Sequence, residues 1–111
     1  MRDESGDCPV ETFLDALRGA QAKKITWVLQ LIEEMERIPA QYLKKLDGSE
    51  AIWEVRTQVG SDAFRLLGFL DKGELVLCSG FRKKTQKIPR HEIDTAERRR
   101  HLYIERKRHR E

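Results

Sequence analysis

An arginine stands inside one of the most apolar segments of this 111-residue chain. The run AFRLLGFL at residues 63–70 predicts a β-strand, and Arg65 interrupts its apolar side chains. Because an unpaired buried guanidinium costs free energy, Arg65 needs either a carboxylate partner or an anion to bind. Glu54, in the preceding predicted strand, could form an ion pair with it. The planar fork of Arg65 is equally suited to two phosphate oxygens, and both interpretations stay open.

Further cations lie at the ends of the neighbouring predicted strands. Arg56 ends the preceding strand, and Lys83, Lys84 and Lys87 follow the next strand. A meander with short connections can bring these positions together on one surface. Clustered Lys and Arg bind polyanions by releasing counterions, although a run of charges is also common on a solvated face. The spacing therefore indicates either a phosphate-binding surface or a solvated charge run.

The charge of the chain is unevenly distributed. The formal net charge is +3, but residues 1–81 carry 10 basic and 14 acidic side chains, whereas residues 82–111 carry 12 basic and 5 acidic ones. The last quarter of the chain is therefore a polycation, which is either a solvated helix face or a surface that binds phosphates. A length of 111 residues allows one hydrophobic core and excludes a multidomain enzyme.

The sequence predicts a cytoplasmic protein that has no membrane association. No stretch approaches the roughly 18 apolar residues of a membrane span, and the first seven residues lack the apolar core of a signal peptide. Cys8 and Cys78 lie far apart with no CxxC pattern, which indicates neither a disulfide framework nor a zinc site. We therefore expect no metal and no cofactor.

The elements that must position these residues follow from the spacing of apolar side chains. Helical spacing predicts a first helix that ends near Gly19 and a second that ends near Pro39. Alternation and turn residues then predict three antiparallel strands, over residues 51–56, 63–70 and 75–81, with a tight hairpin at residues 71–74.

A last helix is expected to begin at Pro89, with an inward stripe of five residues. The stripe is Ile93, Ala96, Arg100, Tyr103 and Ile104. The fold class is α+β: a helical hairpin, a three-stranded antiparallel sheet and a C-terminal helix, with the helices on one face of the sheet. We expect one domain over residues 1–104 and a frayed basic tail over residues 105–111.

Five stretches of the chain together resemble a known family. They are YLKKL at 42–46, IWEVR at 52–56, FRLL at 64–67, GFRKKTQKIP at 80–89 and EIDTA at 92–96. These stretches resemble the RelE/HigB toxins of the RelE/ParE superfamily, from type II toxin–antitoxin systems, and most closely the phage-derived HigB-like branch. The resemblance spans about residues 8–104, and the stretch at residues 80–89 is its most specific part.

The resemblance implies a small, metal-free endoribonuclease that cuts mRNA in the ribosomal A site. Its expected partners are mRNA, the ribosome and a cognate antitoxin, a HigA-like helix-turn-helix protein. The ribose 2′-hydroxyl attacks the adjacent phosphate, which requires a proton acceptor, stabilisation of the developing dianion and a proton donor.

The resemblance also assigns roles to individual residues. By position, Arg65 is the strand arginine that stabilises the transition state, and Lys83, Lys84 and Lys87 are the basic residues of the third strand. Arg56 is a possible fourth member of this group. His91 is a candidate proton shuttle because imidazole side chains can exchange a proton near neutral pH, although a histidine at the start of a helix is more often a surface residue. The remaining predicted RNA-binding residues are Lys44, Lys45, Arg82, Arg98 and Arg99.

The chain departs from the family pattern in two places. Family members begin with a β-strand, which is missing here, so either the start lies upstream or the sheet has an open edge that dimerisation or an antitoxin segment fills. The terminal tyrosine of some RelE members has no equivalent, and the helical spacing of Tyr103 predicts a core position.

Two other functions are compatible with the same residues. ParE-like proteins share the fold and inhibit DNA gyrase without cleaving RNA, because a fold does not fix a function. An inactive relic that binds RNA through its basic loop is the third hypothesis. The lysine-rich loop together with Arg65 favours the nuclease, but basicity alone does not separate cleavage from binding.

Overall fold

The computed structural model describes residues 8–49 and 51–110. It contains three helices and a four-stranded antiparallel sheet, so the α+β class is confirmed. The elements are α1 (Pro9–Asp15), α2 (Gly19–Glu34), β1 (Leu43–Lys45), β2 (Trp53–Val59), β3 (Asp62–Asp71), β4 (Glu74–Lys83) and α3 (Arg90–Arg110). The strands lie in the order β1-β2-β3-β4. No helix in this described part of the chain is long and apolar enough to cross a membrane.

The prediction of three strands was wrong, because the short strand β1 pairs with β2. Leu43 lies opposite Val55, and the backbone N–H of Arg56 donates to the carbonyl of Tyr42 at 2.8 Å. Three residues are too few to show the alternation by which a strand is recognised in a sequence. The missing family strand was predicted to precede α1, and residues 1–7 lie outside the described residues.

Helices cover both faces of the sheet, and not one face as the sequence predicted. Helices α1 and α2 pack against one face, where Phe64 and Leu66 of β3 are buried. Helix α3 packs against the opposite face through Ile93, beside Leu67 and Phe69. The nearly continuous apolar run of β3 is the pattern of a strand that is buried on both faces.

Two local features of the backbone position the β3–β4 hairpin and α1. The β3–β4 hairpin turns at Lys72 and Gly73, whose φ angles are 52° and 83°, as a two-residue turn of this kind requires. This confirms the predicted hairpin. Gly80 of β4 lies under α1, and a Cβ atom there would come within 2.5 Å of the Phe13 ring. Its lack of a side chain allows α1 to approach the sheet.

Helix α3 continues through the segment that was predicted to fray. Tyr103 donates a hydrogen bond to Asp71 at 2.8 Å, and Lys107 contacts the same carboxylate at 2.8 Å. The Tyr103 ring also packs against Phe69, with 5.2 Å between the ring centroids. These tertiary contacts hold the basic segment to the β3–β4 hairpin, so the boundary placed at residue 104 corresponds to no structural break.

Candidate functional site

Strands β2, β3 and β4 place three cations on one face of the sheet. Arg56 lies directly opposite Arg65, and Lys83 lies opposite Ala63, two residues before Arg65. Because side chains two residues apart share a face, Arg56, Arg65 and Lys83 all project from the same face. The register therefore brings together three of the predicted site residues, and we call Arg56, Arg65, Lys83 and the intervening Glu54 the cation cluster.

One carboxylate lies within this cluster. Glu54 Oε1 is 3.6 Å from Arg56 Nε, and Glu54 Oε2 is 3.8 Å from Arg65 Nε. The ion pair between Glu54 and Arg65 that the sequence offered is thus present, and both residues are buried, at 8% and 7% exposure. It is longer than a hydrogen bond, so it satisfies Arg65 only in part.

The guanidinium of Arg65 retains an unused donor. Its Nη1 donates to the carbonyl of Phe64 at 2.9 Å, whereas its buried Nε has no hydrogen-bond partner. A buried donor that lacks a partner is costly, and native structures contain few of them. An anion bound at this position would supply the missing acceptor.

The electrostatics of the cluster also favour an anion. Burial lowers the pKa of Arg65, and the positive charge of Arg56 lowers it further, while Glu54 opposes the change. Burial likewise lowers the pKa of Lys83, the charges of Arg65 and Arg56 add to this effect, and Glu54 again opposes it. Three cations thus surround a single carboxylate, and their mutual repulsion would be relieved by a bound phosphate.

A surface cavity of 360 Å³ opens beside the two arginines. Arg56 and Arg65 line it together with Lys24 and Val28 of α2, Gln41 and Tyr42 before β1, and Thr57 and Gln58 of β2. Trp27, which is 45% exposed, packs against Tyr42 with 6.0 Å between the ring centroids. The ammonium of Lys24 lies 4.6 Å from the centre of the Trp27 ring.

Sequence reasoning missed the contribution of α2 to this site. Neither Lys24 nor Tyr42 was among the residues predicted to form a site. No local signal links either residue to Arg65, because the packing of α2 beside the sheet brings them together. The available sequence signal was Trp27, three residues after Lys24 in the same helix, because aromatic and basic side chains often bind nucleic acid together.

The remaining predicted catalytic residues lie in exposed positions. Lys84 and Lys87 are exposed in the loop after β4, where the Thr85 hydroxyl donates to the carbonyl of Lys87 at 2.6 Å. His91 is exposed in the first turn of α3, and its Nε2 is 3.3 Å from Glu92 Oε1. The structure therefore gives Lys84, Lys87 and His91 surface positions outside the cation cluster.

Two of the five predicted RNA-binding residues have partners on other elements of the fold. Arg82 projects from the face opposite to Lys83 and forms an ion pair with Asp62. Asp62 also accepts a hydrogen bond from Gln21 of α2, at 3.2 Å. Arg99 donates to the carbonyl of Cys78 at 2.7 Å, which fixes α3 to β4.

The other three predicted RNA-binding residues are exposed. Lys44 lies on β1, with its ammonium 3.7 Å from the carboxylate of Asp47, and Lys45 follows it on the same edge strand. Arg98 is exposed on α3. These side chains are therefore available to a partner that approaches from solvent.

The two cysteines and the acidic residues form no metal centre in the described structure. Cys8 and Cys78 are both free, and Cys78 is buried, which raises the pKa of its thiol to about 11. A thiol of this kind is not a nucleophile near neutral pH. Within residues 8–49 and 51–110, no three His, Cys, Asp or Glu side chains form a group that could hold a metal ion.

Comparison with known proteins shows which family this chain belongs to. Residues 12–101 match the model of the family described as Phage derived protein Gp49-like (DUF891). The chain belongs to the Gp49-like family. This family is part of the RelE toxin-like superfamily and is commonly toxin-like, so the resemblance is confirmed at that level. No curated protein and no solved structure shows significant similarity to this Gp49-like chain.

Proposed function

We propose that this Gp49-like protein is the toxin of a type II toxin–antitoxin system, of the HigB-like branch, and that it cleaves mRNA on the ribosome. The observation that carries the proposal is the buried Arg65, whose Nε has no hydrogen-bond partner and which lies opposite Arg56. A single carboxylate offsets the charge of three cations there. This arrangement suits the extra negative charge that a phosphodiester gains in its transition state.

The proposed reaction is attack of a ribose 2′-hydroxyl on the adjacent phosphate, with departure of the 5′-oxygen. Arg65 and Arg56 hold the non-bridging phosphate oxygens, because a guanidinium stays charged and donates in a fixed fork. Lys83 removes the proton of the 2′-hydroxyl, since its lowered pKa makes the neutral amine more accessible than in an ordinary lysine. His91 is the candidate donor to the leaving oxygen, and Lys84 and Lys87 contact the RNA backbone.

The proposed partners follow from the same assignment. A toxin of this class pairs with an antitoxin, here a HigA-like helix-turn-helix protein, and acts on mRNA held by the ribosome in the cytoplasm. The exposed Lys44, Lys45 and Arg98 attract the RNA backbone without selecting a sequence. Arg82 and Arg99 contribute to the positive field of the protein while their side chains hold structural partners.

The decisive experiment is to express Arg65→Ala and Arg56→Ala in bacteria and to measure growth arrest and mRNA cleavage. We expect Arg65→Ala to abolish both, because removal of one oxyanion donor costs about 100-fold or more in rate. Arg56→Ala should weaken both growth arrest and cleavage. Because the Arg56 side chain is partly exposed, this substitution should disturb the fold less than Arg65→Ala. Arg37→Ala, which removes an exposed arginine outside the cluster, is the matched control.

Circular dichroism and thermal unfolding establish that each variant is folded before its activity is compared. Full growth arrest by a folded Arg65→Ala protein would remove the proposed site. Growth arrest without mRNA cleavage, together with inhibition of gyrase by the purified protein, would instead support the ParE-like alternative. RNA binding without either activity would indicate the inactive relic.

A further inference from the structure

An apolar groove of 740 Å³ lies between the end of α2, the segment that follows it and the β3–β4 hairpin. It shares no lining residue with the cavity beside the arginines. Its apolar lining includes Leu29, Ile32, Met35, Leu70 and Leu75. Met35 and Leu70 are 38% and 52% exposed, and they are two of the three exposed large apolar residues in the described part of the chain. Exposed apolar surface that lines a groove is typical of an interaction site.

The rim of this groove is acidic although the chain as a whole is basic. Glu33, Glu36 and Glu74 line it, and it contains no Lys or Arg. All three glutamates are exposed, which leaves their charges on the surface. A matching partner therefore carries basic side chains around an apolar centre.

The chain itself displays such a surface on the other side of Leu70. A second cavity, of 240 Å³, is lined by Phe69, Leu70 and Asp71 of β3 and by residues of α3. Three of the α3 residues are basic, so they outnumber the single acidic residue: Arg100, Lys107 and Arg108. Arg108 is exposed, and Leu70 belongs to both cavities. The hairpin tip thus separates an acidic apolar groove from a basic apolar cavity.

We propose that two copies of this chain form a symmetric homodimer across Leu70, in which the acidic groove of one protomer receives the basic end of α3 from its partner. In a dimer with a two-fold axis through this region, the acidic groove of each protomer faces the basic end of α3 of the other. The same favourable contact is therefore made twice. Twelve residues line the groove and eight line the basic cavity, with Leu70 in both. That set is close to the roughly 20 residues on each side of a standard interface.

This interface leaves the proposed RNA site open. The arginine cavity is lined by residues of α2, of β2 and of the segment before β1, and by Arg65 of β3, and none of them lines either half of the interface. The dimer is therefore a separate property from the proposed cleavage activity. It also differs from dimerisation through a free sheet edge, since side chains and not backbone groups make the contact.

Sedimentation velocity on the purified full chain tests the proposal over about 1 to 200 µM, a range that spans ordinary weak to moderate dimers. We expect dimers that weaken as salt is raised, because the flanking contacts are charged. Leu70→Glu should raise the dimer dissociation constant about tenfold or more, since it places a charge at the centre of the interface. Trp27→Glu, which changes the third exposed apolar residue, is the matched control and should leave the dimer unchanged.

Charge reversal distinguishes this interface from any other surface. Glu36→Arg and Arg108→Glu should each weaken the dimer, and the double variant should restore it, because opposite charges again face one another in both halves. A chain that is monomeric throughout this range would overturn the proposal. A dimer that is indifferent to Leu70→Glu would point to another surface such as the sheet edge. A monomer whose groove variants lose only antitoxin binding would assign the groove to the antitoxin.

Discussion

At the scale of single residues, the cation cluster combines the two interpretations that the sequence left open for Arg65. Glu54 contacts Arg65 and Arg56, as an ion pair requires, yet the buried Nε of Arg65 has no hydrogen-bond partner. Glu54 therefore offsets part of the cost of burying positive charge and leaves the cluster in need of an anion. The structural ion pair is thus compatible with the proposed phosphate site, because Glu54 leaves one buried donor of Arg65 without an acceptor.

The lowered pKa of Lys83 predicts a specific dependence on pH. Cleavage should accelerate as the pH rises and Lys83 loses its proton, and should level off above the folded pKa. Lys83→Arg keeps the positive charge but cannot lose it, so this variant should cleave about 100-fold more slowly and without that rise. Single-turnover cleavage measured between about pH 6 and pH 10 provides the profile.

The stability of the protein should rise with pH, as the cleavage rate does. Because the fold disfavours protonated Lys83, the free energy of unfolding should rise as the pH rises through the lowered folded pKa. Lys83→Met should remove this contribution, and Lys23→Met on the exposed face of α2 is its control. For the cleavage prediction, identical pH profiles of the cleavage rate in the parent protein and in Lys83→Arg would rule out Lys83 as the base.

At the scale of elements, the β3–β4 hairpin anchors the C-terminal half of α3. The turn at Lys72 and Gly73 places Asp71 where it accepts hydrogen bonds from Tyr103 and Lys107. The bonds from Lys107 and Tyr103 lower the pKa of the Asp71 carboxyl. A single carboxylate thus connects the end of β3 to two successive turns of a strongly basic helix.

We predict that Asp71→Asn loosens the end of α3 without unfolding the sheet. The amide cannot form an ion pair with Lys107, so backbone hydrogen exchange over residues 103–110 should increase while exchange in β2 and β3 stays slow. The same loosening should appear in the parent protein as the pH falls through the lowered pKa of Asp71, because the contact is made by the ionised carboxyl. Asp47→Asn is the control, since that side chain is 93% exposed. Unchanged exchange in Asp71→Asn would mean that packing alone holds the helix.

At the scale of the whole molecule, the basic quarter of the chain divides into groups with different positions. Lys83 lies in the cation cluster, while Arg82 and Arg99 make structural contacts on other parts of the sheet. Arg98 and Arg108 are exposed on α3. The net positive charge of this segment is therefore spread over several surfaces, and of the residues named here only Lys83 belongs to the cation cluster.

Salt dependence separates these groups. We expect the combined change of Lys83→Ala and Lys84→Ala to weaken binding of single-stranded RNA and to flatten the plot of log affinity against log salt by about 1.4, or about 0.7 for each lost phosphate contact. The combination of Lys23→Ala and Arg37→Ala removes the same charge from exposed positions outside the site and should leave the slope almost unchanged. Fluorescence anisotropy with a short oligoribonucleotide measures both. Equal slopes for the two double variants would show that the loop after β4 is a solvated charge run.

The sequence by itself determined the local elements and the presence of an unusual cation. Helical spacing predicts α1 and α2, alternation predicts β2, and the turn residues predict the hairpin before β4. These signals are local, because side chains that share a face recur every two residues in a strand or every three to four in a helix. The same patterns identified Arg65, since a charge within an apolar strand stands out from its neighbours.

Only the tertiary structure decided which distant residues meet. Strand β1 is too short to have a pattern, and α3 extends to Arg110 because Asp71 holds it across the hairpin. The strand register sets Arg56 against Arg65, and the packing of α2 adds Lys24 to their cavity. These contacts join segments far apart in the chain, so they depend on register and on close approach, which no local run of residues encodes.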